Sequence, residues 1–216
     1  MPVLYRTTMV PTKLALLSSW LPTRAWYRGD GERELRKAGG FRLDDPDGEV
    51  GIEFMVATDH AGEQARTYHG PLTYRGSPLA GADEELVGTA MHGVLGKRWI
   101  YDAVRDPVAV AQIVAVLAGR TKPQAQSESG TPDPSVVVRA AETLVSTSEF
   151  GPAQEVLSYT DIPVGQRVVR VRRLLNATGA PAEACGSGHV PAPWRTAGGI
   201  AVRSVFLSFA ERPRER

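Results

Sequence analysis

Four histidines, one cysteine and a run of arginines are the residues of this chain best suited to chemistry. His60, His69, His92 and His189 do not fall in an HExxH or HxH spacing, and a single Cys excludes a Cys-rich metal site. In "ACGSGHV", Cys185, Ser187 and His189 alternate, which invites a nucleophile-and-base reading. Triads normally assemble from distant segments, however, so this glycine-rich stretch reads first as a connection. There is no GxSxG elbow, no phosphate-binding P-loop and no strand-borne GxGxxG. No metal or cofactor is expected. Arg167, Arg170, Arg172 and Arg173 form the densest positive feature, with Arg170 and Arg172 on one face of a predicted strand. The bland reading is a solvated or charge-guarded face; the sharp one is a docking surface for an acidic partner or a phosphate group. His60, beside Asp59, reads as a turn residue. His69 is expected to be exposed or at a rim, opposite Tyr68, Leu72 and Tyr74. His92, flanked by glycines, is a candidate pocket residue, with a structural role as the alternative.

The elements that must position these groups follow from periodicity. The chain has 216 residues and a formal net charge of +1, so no global field favours nucleic acid or an anionic membrane. The longest apolar run, Val108 to Ala118, is too short to span a bilayer, and no secretory signal is visible. One Cys fits a reducing compartment, so a soluble cytoplasmic protein is expected. Residues 11–21 predict a short helix with Leu14, Leu17 and Leu21 on one face, stopped by Pro22. Residues 30–38 read as a further polar helical turn or a loop. The period then drops to two. A strand around "FRLDD", a "DPDG" turn, a strand over 50–58 and a third over 66–75 make an antiparallel meander. Pro71 places the third strand at an edge or a bulge. Residues 86–103 are ambiguous. Asp106, Pro107 and Gly119 frame a helix that is apolar nearly all round. Residues 120–135 have linker composition. Beyond them, 136–145, the arginine-valine stretch 166–177 and a hairpin-like pair flanking "RTAGG" predict a β-rich segment. The expected division is 1–119, a linker at 120–135, and 136–216.

The run from Pro11 to Asp45 resembles the N-terminal cap of actinobacterial maltokinases and related sugar kinases, with Trp20, Leu21, Trp26, Tyr27 and Gly29 at the matching positions. The resemblance extends in pattern and order over roughly residues 10–119. It implies an α+β, cystatin-like fold: a helix gripped by a curved antiparallel sheet, mounted on a phosphotransferase that uses ATP and a sugar such as maltose. The phosphotransferase motifs themselves, an "HGD"-type loop and a "DFE"-type metal motif, are absent from these residues. No catalytic residue is carried over, and the chain reads as a free-standing cap-like protein rather than an enzyme. On this reading Trp20 and Trp26 anchor the helix to the sheet, and Arg24 and Arg28 are candidates for surface contacts.

Three readings remain in play. The first is an interaction module acting in trans on a sugar kinase or an α-glucan enzyme of trehalose metabolism, through an apolar patch at Trp99, Ile100 and Tyr101 or at Trp194. The second is a binder of a sugar or sugar phosphate, its pocket lined by His92, Tyr68 and Tyr74. The third is a cryptic enzyme using His92, His60 or the Cys185 segment. A homo-oligomer is compatible with all three.

Overall fold

The computed structural model of the chain describes residues 8–61, 64–126, 130–141, 150–177 and 188–212. Helix α1 (Lys13–Trp20) is capped by Thr12, whose hydroxyl accepts the Ala15 N–H at 3.2 Å. Pro22 stops it, and Leu21–Thr23 forms a single 3-10 turn. Leu17, Trp20 and Leu21 are buried and Leu14 and Leu16 half-buried, the face that periodicity assigns. Residues 30–38 are not helical: β2 (Leu35–Leu43) already begins at Leu35, because its backbone pairs with β3 (Gly51–Asp59) from Leu35 opposite Asp59 onward. Between them Gly48, at φ +73°, donates to the Asp45 carbonyl at 3.0 Å. The Asp45 carboxylate accepts from Glu49 and Val50 N–H as well, locking the turn.

Strand β4 (Arg66–Arg75) completes the meander. Its far side is shared by two partners, with a gap between them. The ambiguous stretch is the hairpin β5 (Leu86–His92) and β6 (Gly96–Asp102), and β6 pairs with β4 only from Leu72 to Arg75. Pro71 lies just before that pairing, where a missing N–H costs no ladder bond. The short β1 (Met9–Val10) adds to β5. Helix α2 (Pro107–Leu117) matches its predicted frame. Asp106 accepts the Val108 N–H at 3.0 Å, and Gly119 at φ +71° closes the other end. Gly119 and Arg120 N–H groups reach back to Val116 and Ala115 carbonyls at 3.0 and 2.8 Å.

The second half contributes β7 (Gln154–Val156), β8 (Tyr159–Val164), β9 (Arg167–Arg172), β10 (Leu174–Leu175), β11 (His189–Arg195) and β12 (Ala201–Glu211). The strand order is β1-β5-β6-β4-β3-β2-β11-β12-β9-β8-β7, and β10 returns to pair with β4, Leu174 opposite Tyr68. Only Arg173 separates β9 from β10, so β4-β3-β2-β11-β12-β9/β10 runs back to its own start. The link from β2 to β11 is narrow, Gly39 opposite Trp194. There a Cβ on Gly39, at φ +153°, would meet the Trp194 Cα at 3.1 Å.

The fold is thus mostly antiparallel and β-rich, with few helices. The expected division at 120–135 falls inside one sheet and one core. Gln124 exchanges backbone hydrogen bonds with Arg42 at 2.9 and 2.8 Å, and α2 shares its core with Phe206 and Leu207 of β12. The predicted strand at 136–145 is represented by an Arg139–His189 bridge; residues 142–145 lie outside the described residues. Both faces of the meander are covered. Helix α1 lies on Met55, Tyr68 and Leu72, while Ile52, Phe54 and Val56 face the core that contains α2.

Candidate functional site

Trp20 and Trp26 are packing groups. Their rings meet edge to face at 5.7 Å, and Trp26, fully buried, also lies 6.1 Å from Tyr68. Its indole N–H donates to Glu155 Oε1 at 3.2 Å, which ties the tryptophan stretch to β7. Arg24 and Arg28, expected at the surface, are engaged within the molecule. The Arg24 guanidinium stacks on Trp20 at 5.3 Å and reaches Glu85 at 3.2 Å. Arg28 donates to the Ala25 and Tyr27 carbonyls, both at 2.7 Å.

The structure does not bring the three expected pocket residues together. The Tyr68 hydroxyl accepts the Arg28 N–H at 3.2 Å, and burial pushes its pKa up to about 12. The Tyr74 hydroxyl donates to Glu53 Oε2 at 2.8 Å; burial and the Glu53 charge hold its pKa well above the usual phenol value. Burial alone would raise the Glu53 carboxyl, but Lys13 at 2.5 Å, together with the Tyr74 hydrogen bond, brings it below its ordinary value. A cleft of about 400 Å³ does exist, but elsewhere, between Thr67, Leu174, Asn176, Trp194 and Thr196.

His69 is not at a rim; it is completely buried. Its ring sits in an aromatic box, 4.5 Å from Phe206 and 5.9 Å from Phe54, with Phe41 stacked on Phe54 at 4.5 Å. Nδ1 lies 2.7 Å from the Arg172 carbonyl, so the neutral ring donates there, and burial drives its pKa down to about 3. The adjoining Arg173 is buried against Asp102 at 2.5 Å and Thr160 at 2.8 Å, its guanidinium over Trp26. Arg170 pairs with Asp161 through two 2.8 Å bonds and stacks on Tyr159 at 3.8 Å. Arg170 is therefore spent within the fold, and the carbonyl of half-buried Arg172 anchors His69. His60 is half-buried in its turn and His189 is buried on β11; Cys185 and Ser187 lie outside the described residues. Among the described residues no group of three or more His, Cys, Asp or Glu could hold a metal ion.

The expected apolar patch is only partly at the surface. Ile100, Tyr101 and Trp194 are buried, and the Tyr101 hydroxyl accepts the Leu79 N–H at 2.9 Å. Trp99 is half-buried under the Lys97 ammonium at 4.8 Å. Sequence reasoning missed the neighbouring hairpin tip, where Val10, Met91, Val94 and Leu95 are 66%, 56%, 58% and 41% exposed. The tip's backbone is satisfied from within. His92 Nδ1 accepts from Val94 and Leu95 N–H at 3.3 and 3.0 Å, Arg98 donates to the Leu95 carbonyl at 2.8 Å, and Gly93 donates to Thr8 at 3.2 Å. Burial, Arg98 and Lys13 all lower the His92 pKa, which keeps Nδ1 available as an acceptor. The signal was legible in "HGVLG", two aliphatic residues at a turn where polar ones are usual.

These features define a β-rich protein whose polar side chains at the described sites mostly bind one another. Residues 20–106, from Trp20 through β6 to the cap of α2, match the family model of the maltokinase N-terminal cap domain. No curated protein matches the chain. No helix among the described residues is long and apolar enough to cross a membrane.

Proposed function

We propose that this chain is a non-catalytic, cap-type interaction module that acts in trans on a sugar kinase or another enzyme of trehalose and α-glucan metabolism. The observation that carries the reading is the match of residues 20–106 to the maltokinase N-terminal cap domain. The seating of α1 on the meander suits the cystatin-like description of such caps. The reactive side chains support the same reading. Tyr68, Tyr74, His69 and Arg173 are committed to internal bonds that hold the fold.

The test adds the purified chain to a purified maltokinase and follows ATP-dependent phosphorylation of maltose, with complex formation read by size-exclusion chromatography and light scattering. A saturable change in rate together with a co-eluting complex is the expected result. An unchanged rate with two separate peaks would remove the reading.

A further inference from the structure

The hairpin tip is built to be displayed. Four of the large apolar side chains exposed among the described residues, Val10, Met91, Val94 and Leu95, gather at β1 and the β5–β6 turn. Val10 and Met91 are direct cross-strand partners. His92, Arg98 and the Thr8 carbonyl all fix the turn. A tip held rigid before binding loses little entropy when it docks.

Residues 8–14 and 86–101 contain no Asp or Glu; Lys13 is already paired with Glu53, so the charge left at the tip is that of Lys97 and Arg98. Two such tips related by a two-fold axis would set like charges against each other, which disfavours a second copy of this chain. Strand addition is blunted too, since β1 has only two residues and ends at Pro11. What fits is a surface with an apolar recess for Val94 and Leu95 and carboxylates facing Lys97 and Arg98.

Resting on the cap reading above, we propose that the β1/β5–β6 tip is the docking surface of this module, and that its partner is a protein presenting an acidic-rimmed apolar recess. Leu95 and Val94 enter the recess, Met91 and Val10 close its edge, and Lys97 and Arg98 meet the rim.

The experiment measures binding of the full chain to a purified maltokinase by biolayer interferometry, for the wild type and for Leu95→Asp, Lys97→Glu and Ile200→Asp. Ile200 is 68% exposed on the distant β11–β12 connection and serves as the control. The replaced side chains are exposed, and thermal unfolding checks that each variant keeps its fold. Leu95→Asp is expected to weaken binding by at least about tenfold, Lys97→Glu severalfold with a shallower salt dependence, and Ile200→Asp not at all. Wild-type binding that all three variants retain would overturn the surface and leave the cap reading standing. No wild-type binding would overturn both. A parallel arm uses phosphatidylcholine vesicles with roughly 30% phosphatidylglycerol. Tip-dependent binding there in place of the kinase would assign the tip to a lipid surface and overturn the protein partner.

Discussion

Arg173 Nη2 and Asp102 Oδ2 stand 2.5 Å apart with neither side chain exposed to solvent. The pair joins the end of β6 to the residue between β9 and β10, and so fastens the two halves of the chain at the seam where the strands close. Thr160 accepts a second guanidinium bond at 2.8 Å.

Removing either partner leaves a buried charge uncompensated. Asp102→Leu and Arg173→Met should each cost about 3–5 kcal/mol, whereas the double variant Asp102→Leu with Arg173→Met should cost far less than the sum of the single changes. Denaturant unfolding of the four proteins gives the cycle. Additive losses would show that the two side chains do not act as a pair.

The aromatic box around His69 makes stability depend on pH. The folded pKa is near 3, while the unfolded chain protonates near the ordinary value of about 6.5. Below that, the unfolded state binds a proton that the folded state refuses, so stability falls as pH drops from about 6.5 toward 3. Between pH 6.5 and 4.5 the loss from this group should be about 2–3 kcal/mol. His69→Phe, which fills the same box, should flatten that part of the profile, at a cost of about 1–3 kcal/mol at neutral pH for the orphaned Arg172 carbonyl. An unchanged slope in the variant would place the titration elsewhere.

The placement of His69 also shows where sequence reading stops. Helix α2 was legible because its signals are local: Asp106, Pro107 and Gly119 each act within one turn. The meander was legible from a period of two and the Asp45–Gly48 turn. What covers the second face of β4 was not, because it arrives from Leu175, Phe206 and the Arg172 carbonyl, more than a hundred residues away. A clue was present in β3, where Ile52, Phe54 and Val56 are apolar on one side and Met55 and Ala57 on the other. A strand apolar on both sides is buried on both, and its neighbour then cannot present His69 to solvent. The aromatic content of the tryptophan stretch marks it as an anchor, yet its tie to Glu155 depends on a partner in the other half.

That long-range closure predicts how the chain divides. A fragment ending at residue 119 would lose β10, β12 and Arg173, exposing Phe41, Phe54 and His69 and leaving Asp102 buried without its partner. It should show no cooperative unfolding transition and poor amide dispersion by NMR, while the full chain unfolds in one step. A fragment that melts cooperatively would establish residues 1–119 as a domain in their own right.

The last prediction concerns His92. Its Nδ1 accepts two N–H groups across the β5–β6 turn, a role only the neutral ring can fill. His92→Ala should leave global stability within about 1 kcal/mol, because the side chain lies at a hairpin tip away from both cores. The turn itself should loosen. Amide exchange at Val94 and Leu95 should speed up about tenfold, the factor expected for losing about 1.4 kcal/mol of local protection. Acid should do the same to the wild type as His92 takes its proton, at a pH below the ordinary imidazole midpoint, since burial, Arg98 and Lys13 all hold its pKa down. Exchange at these two amides that is equally fast in wild type and variant at neutral pH would show that the histidine does not order the turn.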